Sequence, residues 1–219
     1  MRLRKVKNAK ERLMVDDNKY FIEDATKYKG KWHELFNNDN PIHIEIGCGK
    51  GRFIETLSEL NKDINYIAIE KFDSVLLRAL EKVIDKDIPN LKLACLDASI
   101  LDTYFSFGEV DRIYLNFSDP WPKSHHAKRR LTHENFLKVY DKVLSKDGEI
   151  FFKTDNRHLF EFSLESFNSY GLKMSHISLD LHNDLEKYPD NIETEFEEKW
   201  SKLGPIYRVE VKRKWNLYL

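Results

Sequence analysis

From Pro41 onward, short apolar runs alternate with stretches of helical period, an order that few architectures accommodate. Ile42, Ile44 and Ile46 predict a strand that runs into E-I-G-C-G-K-G at 45–51. Phe53, Ile54, Leu57 and Leu60 then recur at helical spacing. Residues 65–69 predict a second strand, closed by Glu70. Phe72, Val75, Leu76, Ala79, Leu80, Val83 and Ile84 make the cleanest amphipathic helix in the chain. Leu91, Leu93 and Cys95 begin a third strand ending at Asp97, and 110–117 predicts a fourth that leads into S-D-P-W-P-K at 118–123. A helix from about Glu134 to Leu144, a turn at Asp147-Gly148 and a strand over 149–153 follow. Asp155 precedes a helix up to about Tyr170, and the last strands fall at 172–178 and 206–213, with a helix beginning near Thr194 between them. Strands spaced by helices of this length predict a mostly parallel sheet with helices on both faces.

A length of 219 residues suits one α/β domain with extensions. Eight glycines and six prolines exclude collagen-like and linker-like chains. Cys48 and Cys95 have neither pairing nor metal spacing, which excludes a disulfide scaffold and points to a reducing cytoplasm. The basic start has no apolar stretch behind it, and no apolar run approaches the ~18 residues a membrane span needs. A soluble, cytoplasmic protein is expected.

The net charge is −1, but the charge sits in blocks. Arg2, Arg4, Lys5, Lys7, Lys10 and Arg12 stand against Glu11, and the first 30 residues read as a basic arm. Lys123, Lys128, Arg129 and Arg130 lie in 121–133 with no acid, beside His125, His126 and His133. Arg208, Lys212, Arg213 and Lys214 form a third block, and eight carboxylates in 180–200 balance them. Such blocks on a near-neutral chain fit a localised phosphate footprint, although any one alone is more readily a solvated face.

Open parallel sheets bind ligands beyond the carboxyl ends of their strands. Here those ends carry Glu45 to Gly51, Glu70, Asp97, Asp119 and Asp155. One such acid is easily a helix cap, whereas five in succession form a selective pattern. Gly47, Gly49 and Gly51 read G-x-G-x-G, and Arg52 stands where a dinucleotide fingerprint needs its third glycine. Glu70 suits ribose hydroxyls of either cofactor, but the glycine spacing with Glu45 ahead of it points to S-adenosyl-L-methionine, whose sulfonium and ammonium suit a nearby carboxylate.

E-I-G-C-G-K-G, Glu70, Asp97, D-P-W-P-K with S-H-H-A-K-R-R, and T-E-F-E at 194–197 together resemble the bacterial tRNA guanine-N7 methyltransferases. The resemblance covers about residues 40 to 215 and implies a Rossmann-like class I methyltransferase fold, with a mostly parallel seven-stranded sheet and one methyltransferase domain over 31–219. It implies S-adenosyl-L-methionine contacts from Glu45, Gly47, Gly49, Gly51, Glu70, Asp97 and Asp119, with Asp119 catalytic. It puts Lys123, Asp155, Thr194, Glu195, Phe196 and Glu197 around the target guanine. His125, His126, Lys128, Arg129 and Arg130 would contact RNA, and the target would be variable-loop guanine 46 of tRNA. Monomers and homodimers both occur among such proteins.

The residues also allow plainer readings. Thr194 and Glu197 match a capping box, and Asp155 matches a helix cap. Trp121 suits either a base or the core, and the two histidines at 125 and 126 lack further ligands at metal spacing. A class I methyltransferase of a small molecule or protein, and a non-catalytic RNA-binding module, remain as alternatives. The first has no use for the basic stretch, and the second none for an intact set of strand-end acids.

Overall fold

The structure, a computed structural model, describes residues 6–14 and 18–213. A short helix α1 (Ala9–Leu13), strand β1 (Phe21–Ile22) and helix α2 (Trp32–Phe36) precede the alternating region. That region runs β2 (Ile42–Ile46), α3 (Arg52–Leu60), β3 (Asn65–Glu70), α4 (Asp73–Val83), β4 (Leu91–Cys95) and β5 (Val110–Asn116). It continues through α5 (Glu134–Val143), β6 (Leu144–Thr154), α6 (Arg157–Tyr170), β7 (Lys173–Ser178), α7 (Glu195–Trp200) and β8 (Tyr207–Lys212).

The sheet order is β1-β4-β3-β2-β5-β6-β8-β7. Every pair from β1 to β6 is parallel, while β8 runs antiparallel to both β6 and β7. The strand order reverses beside β2, which puts a crevice at the carboxyl ends of β2 and β5. Eight strands form where seven were expected. The extra one, β1, is two residues long, too short for a period-two pattern to register in sequence.

Chain ahead of residue 30 therefore contributes to the sheet and core. Tyr20 is fully buried and donates its hydroxyl to the Lys86 carbonyl at 2.6 Å while accepting from the Ile88 amide at 3.1 Å. Ala9 and Leu13 of α1 pack with the apolar face of α4, and Arg12 pairs with Glu81 at 2.7 Å. Arg2, Arg4 and Lys5 of the first basic block, and Lys214 of the last, lie outside the described residues.

Period-two alternation gives the sheet two unlike faces. Ile44, Ile67, Ile113, Ile150, Phe152 and Val209 point to one side and join the apolar stripes of α5 and α6 through Leu137, Tyr140, Leu159 and Phe167. On the other side α3 and α4 cover Tyr66, Ala68, Leu93 and Tyr114. Past α3 that second face turns polar. A cavity of about 410 Å³ there is lined by Phe53, Tyr114, Asn116, Lys153, Asn191 and Arg208, among others.

Candidate active site

The loop after β2 supplies the first wall. Gly47 and Gly49 have φ of +78° and +58°, where a side chain is strained. The amides of Gly47 and Cys48 donate to the Ile69 carbonyl at 2.8 and 3.1 Å, which fastens the loop to β3. A Cβ on either glycine would meet nothing within 4 Å, so the loop borders open space. Gly51 is different. A Cβ there would sit 2.8 Å from that of Ala79, so the third glycine lets α3 start flush against α4. Its contribution to a cofactor cradle is through that packing.

Glu70 closes β3 with both oxygens engaged. Oε1 accepts from the amides of Lys71 and Phe72 at 2.8 and 3.2 Å, and Oε2 from that of Gly49 at 3.3 Å. Burial still holds its pKa above the ordinary carboxylate value, helped by the charge of Asp119. Asp97 accepts from the Ser99 amide at 2.9 Å and from Lys71 Nζ at 2.7 Å. Burial opposes its ionisation, but Lys71 and Ser99 prevail and bring its pKa down to about 2.

Glu45 is the unusual member. It is only 2% exposed, its Oε1 accepts from Asn116 Nδ2 at 2.9 Å, and its Oε2 has no hydrogen-bond partner among the described residues. Burial pushes its pKa up to about 7, against the pull of Asn116 and of the Lys153 charge, and Glu70 adds to the push. The mutual influence of Glu45, Glu70 and Asp119, together with the Lys71–Asp97 pair, puts all four strand-end acids at one end of the sheet. Phe72 and Ile100, both exposed, follow Glu70 and Asp97 closely and supply apolar surface there.

Asp119 is exposed on the loop beyond β5. Trp121 in the same loop has φ +41° and lies half-buried under the Arg129 guanidinium, 4.8 Å from the ring centroid. Arg130 holds the loop from inside: its Nε and Nη2 donate to the carbonyls of Pro120 and Trp121 at 3.1 and 3.0 Å, and its guanidinium covers Phe162. Lys123, His125, Lys128 and Arg129 face solvent, and His126 packs edge-on against Trp121. The expected RNA-contacting stretch thus divides into an outward set and one inward arginine.

Around the expected guanine site, Asn156 rather than Asp155 caps α6, accepting from the Leu159 amide at 2.8 Å. Asp155 is left exposed. Thr194 and Glu197 do form a capping box on α7. Glu197 is fully buried, with Oε2 2.6 Å from Lys153 Nζ and Oε1 bonded to Asn191 and His182. Both its oxygens are taken by protein groups, so it fixes α7 rather than offering a free acceptor. Glu195 pairs with Lys50 and Lys82, and Glu198 with Arg52, which ties α7 to the glycine loop, α4 and α3. Phe196 stays exposed.

Asn116 and Lys153 belong to the site although no motif marks them. Their signal is a polar residue inside a buried apolar strand, which burial alone does not tolerate without a partner.

The chain matches, over residues 39–209, a family model described as "Putative methyltransferase". A curated relative from Bacillus cytotoxicus, named tRNA (guanine-N(7)-)-methyltransferase, is 54% identical over 97% of both chains. A Bacillus subtilis relative of the same name is 58% identical over 87% of this chain and 89% of its own. The chain belongs to the tRNA (guanine-N7-)-methyltransferase family. Among solved structures, an antibiotic-related methyltransferase covers 90% of this chain and 98% of its own, with a TM-score of 0.63 at 16% identity, a likeness of fold. The methyltransferase sheet and the family together account for the crevice at the carboxyl ends of β2 and β5. Among the described residues no helix is long and apolar enough to cross a membrane.

Proposed function

We propose that the protein transfers a methyl group from S-adenosyl-L-methionine to N7 of guanine in tRNA, at variable-loop position 46. Two observations carry the donor: the orphaned Oε2 of Glu45 on β2, and the open space around Gly47 and Gly49 in the loop that follows that strand. A buried carboxylate oxygen without a partner costs stability unless a ligand donor completes it. The ammonium of an amino-acid moiety fits that need, and its charge would draw Glu45 into the ionised form. Glu70, whose Oε2 accepts a single bond at 3.3 Å and keeps a second acceptor site, and Asp97 would take hydroxyl and base groups of the nucleoside, with Phe72 and Ile100 as apolar walls. When bound, the cofactor supplies an electrophilic methyl on sulfonium.

Guanine N7 carries a free in-plane lone pair at neutral pH, so no residue need remove a proton before attack. The work left to the chain is orientation and electrostatic support. Asp119, exposed and near enough for its charge to be felt at Glu70, would accept from the guanine N1–H and exocyclic amine and so aim N7 inward. Its charge would also stabilise the cationic ring formed by transfer. Lys123, Lys128 and Arg129 face solvent beside it and suit flanking phosphates. The relatives' names support the substrate, and a tRNA substrate makes the cytoplasm its place of work.

The test is incubation with labelled S-adenosyl-L-methionine and unmodified tRNA, followed by aniline cleavage at 7-methylguanosine. Label and a single cleavage at position 46 are expected, both absent from tRNA carrying adenine there. Cleavage elsewhere would overturn the position, and label in protein rather than ribonuclease-sensitive material would overturn the substrate.

A further inference from the structure

Phe117, Phe196 and Trp200 form a ladder of rings that climbs from the exit of β5 to the surface. Phe117 and Phe196 have centroids 4.9 Å apart, and Phe196 and Trp200 lie 5.4 Å apart at an interplanar angle of 25°. The inner rung packs against Leu181, Tyr188 and Ile206, with Phe117 held at φ +51°, a conformation costly for an aromatic residue. The outer rungs remain 39% and 37% exposed. Stacked rings half open to water leave apolar surface that a further planar group can cover.

Three neighbouring features say what kind of group. Ser118, next to Phe117, has a buried hydroxyl with no partner among the described residues, and Asp119 follows it. The acids of α7 would repel a polyanion if bare, but Glu195, Glu197 and Glu198 are each paired with lysine or arginine. Lys199 Nζ lies 5.5 Å from the Trp200 ring centroid, placing a cation at the outermost rung.

We propose that this ladder is a stacking platform for an unpaired nucleobase of the RNA substrate, with Trp200 taking the base beside the target guanine. The platform rests on the RNA-methylation reading above and extends it to a second nucleotide. To reach N7 beside Asp119, the target base leaves its stack, and its neighbour loses a stacking partner. An aromatic face restores that partner at any sequence, because every base has a π-face. Lys199 would meet the phosphate of the same nucleotide.

The experiment compares Trp200→Ala, Trp200→Leu and Trp200→Phe with the parent protein in titrations of unmodified tRNA at several salt concentrations. Trp200→Ala is expected to lose about 5–150-fold in tRNA affinity, the range set by one base–aromatic stack. The salt slope should fall by no more than about one unit, the share of the single Lys199 contact. Trp200→Phe should keep most of the affinity, whereas Trp200→Leu, apolar without a π-face, should resemble Trp200→Ala. S-adenosylhomocysteine affinity should stay at the parent value in all three, which also reports that they fold. Parent-like tRNA affinity in Trp200→Ala, or equal affinity in Trp200→Leu and Trp200→Phe, would overturn the platform. So would a Trp200→Ala protein that changes only its sedimentation, because a second copy would then cover the rings. A parent protein that methylates no tRNA would instead remove the underlying function, a result separable from all of these.

Discussion

Two buried carboxylates near the site, Glu45 and Glu197, meet opposite fates. Glu197 has every demand met from within the chain: Lys153, Asn191, His182 and its own helix cap surround it. Glu45, just as deeply buried, receives the Asn116 amide and the pull of the Ile54 backbone N–H, and its Oε2 has no well-formed hydrogen bond among the described residues. Lys153 is bonded to Glu197, and Glu45 feels it only through its charge. A completed buried charge is architecture, whereas an incomplete one calls for an explanation, and the proposed cofactor supplies it. The contrast separates what α7 does for the fold from what the proposal asks of the glycine loop.

The sharpest way to break the contrast is Lys153→Met. It strands Glu197 without its cation and should cost about 3–5 kcal/mol in denaturant unfolding. Adding Glu197→Gln should recover much of that loss, and strict additivity of the two changes would show that the pair is not coupled. Next in size, Asp119→Ala should lower single-turnover methylation at saturating cofactor by about 10²–10³-fold, the loss typical of a removed transition-state contact. Its S-adenosylhomocysteine affinity and melting temperature should hardly move, as befits an exposed side chain.

Glu45→Gln should weaken cofactor affinity by about 1.5–3 kcal/mol, the worth of a charged hydrogen bond, measured by calorimetry. The parent protein adds a pH test. Glu45 has a pKa of about 7 in the folded chain, so the anion a cationic ligand needs becomes fully populated only above that pH. Cofactor affinity should rise from pH 6 to 8 and then level off, and Glu45→Gln should flatten the rise. Stability of the ligand-free protein runs the other way. An acid whose folded pKa lies above its unfolded value favours the fold most at low pH, and this contribution is lost as pH rises from about 4 through 7.

The smallest effect concerns the basic loop. Arg129→Ala should reduce the tRNA salt slope by about one unit. Arg130→Ala should leave the slope nearly unchanged while loosening the Pro120–Trp121 segment, because its guanidinium is spent on loop carbonyls. Equal slopes for the two variants would erase the distinction between outward and inward arginines.

The strands from β2 to β6 were legible because short apolar runs ended at or near acids, and α4 because seven apolar residues kept one helical phase. Glu45, Glu70, Asp97 and Asp119 were legible as a set for the same reason: exits of parallel strands must share one end of a sheet. Three other features were not. The Lys153–Glu197 pair joins residues that only tertiary packing brings together, and neither side chain carries a local sign of its partner. Gly51 looks like its two companions in sequence, yet its neighbour is Ala79 on another helix. Arg130 differs from Arg129 only in which way the loop turns its side chain. β6 also begins earlier than its apolar run, at Leu144 rather than near Glu149, because pairing of Val110 with Leu144 extends the ladder through a polar stretch.

The insertion of β8 between β6 and β7 has a consequence for how the molecule is made. β7 is synthesised before the strand that attaches it, so it has nothing to bond to until the chain has reached about Lys212. Until then the outer border of β6 stands bare, an adhesive rim of the kind that recruits foreign strands. A nascent polypeptide that has not yet reached β8 lacks the piece that joins β7 to the sheet, so this border is completed only after β8 has emerged.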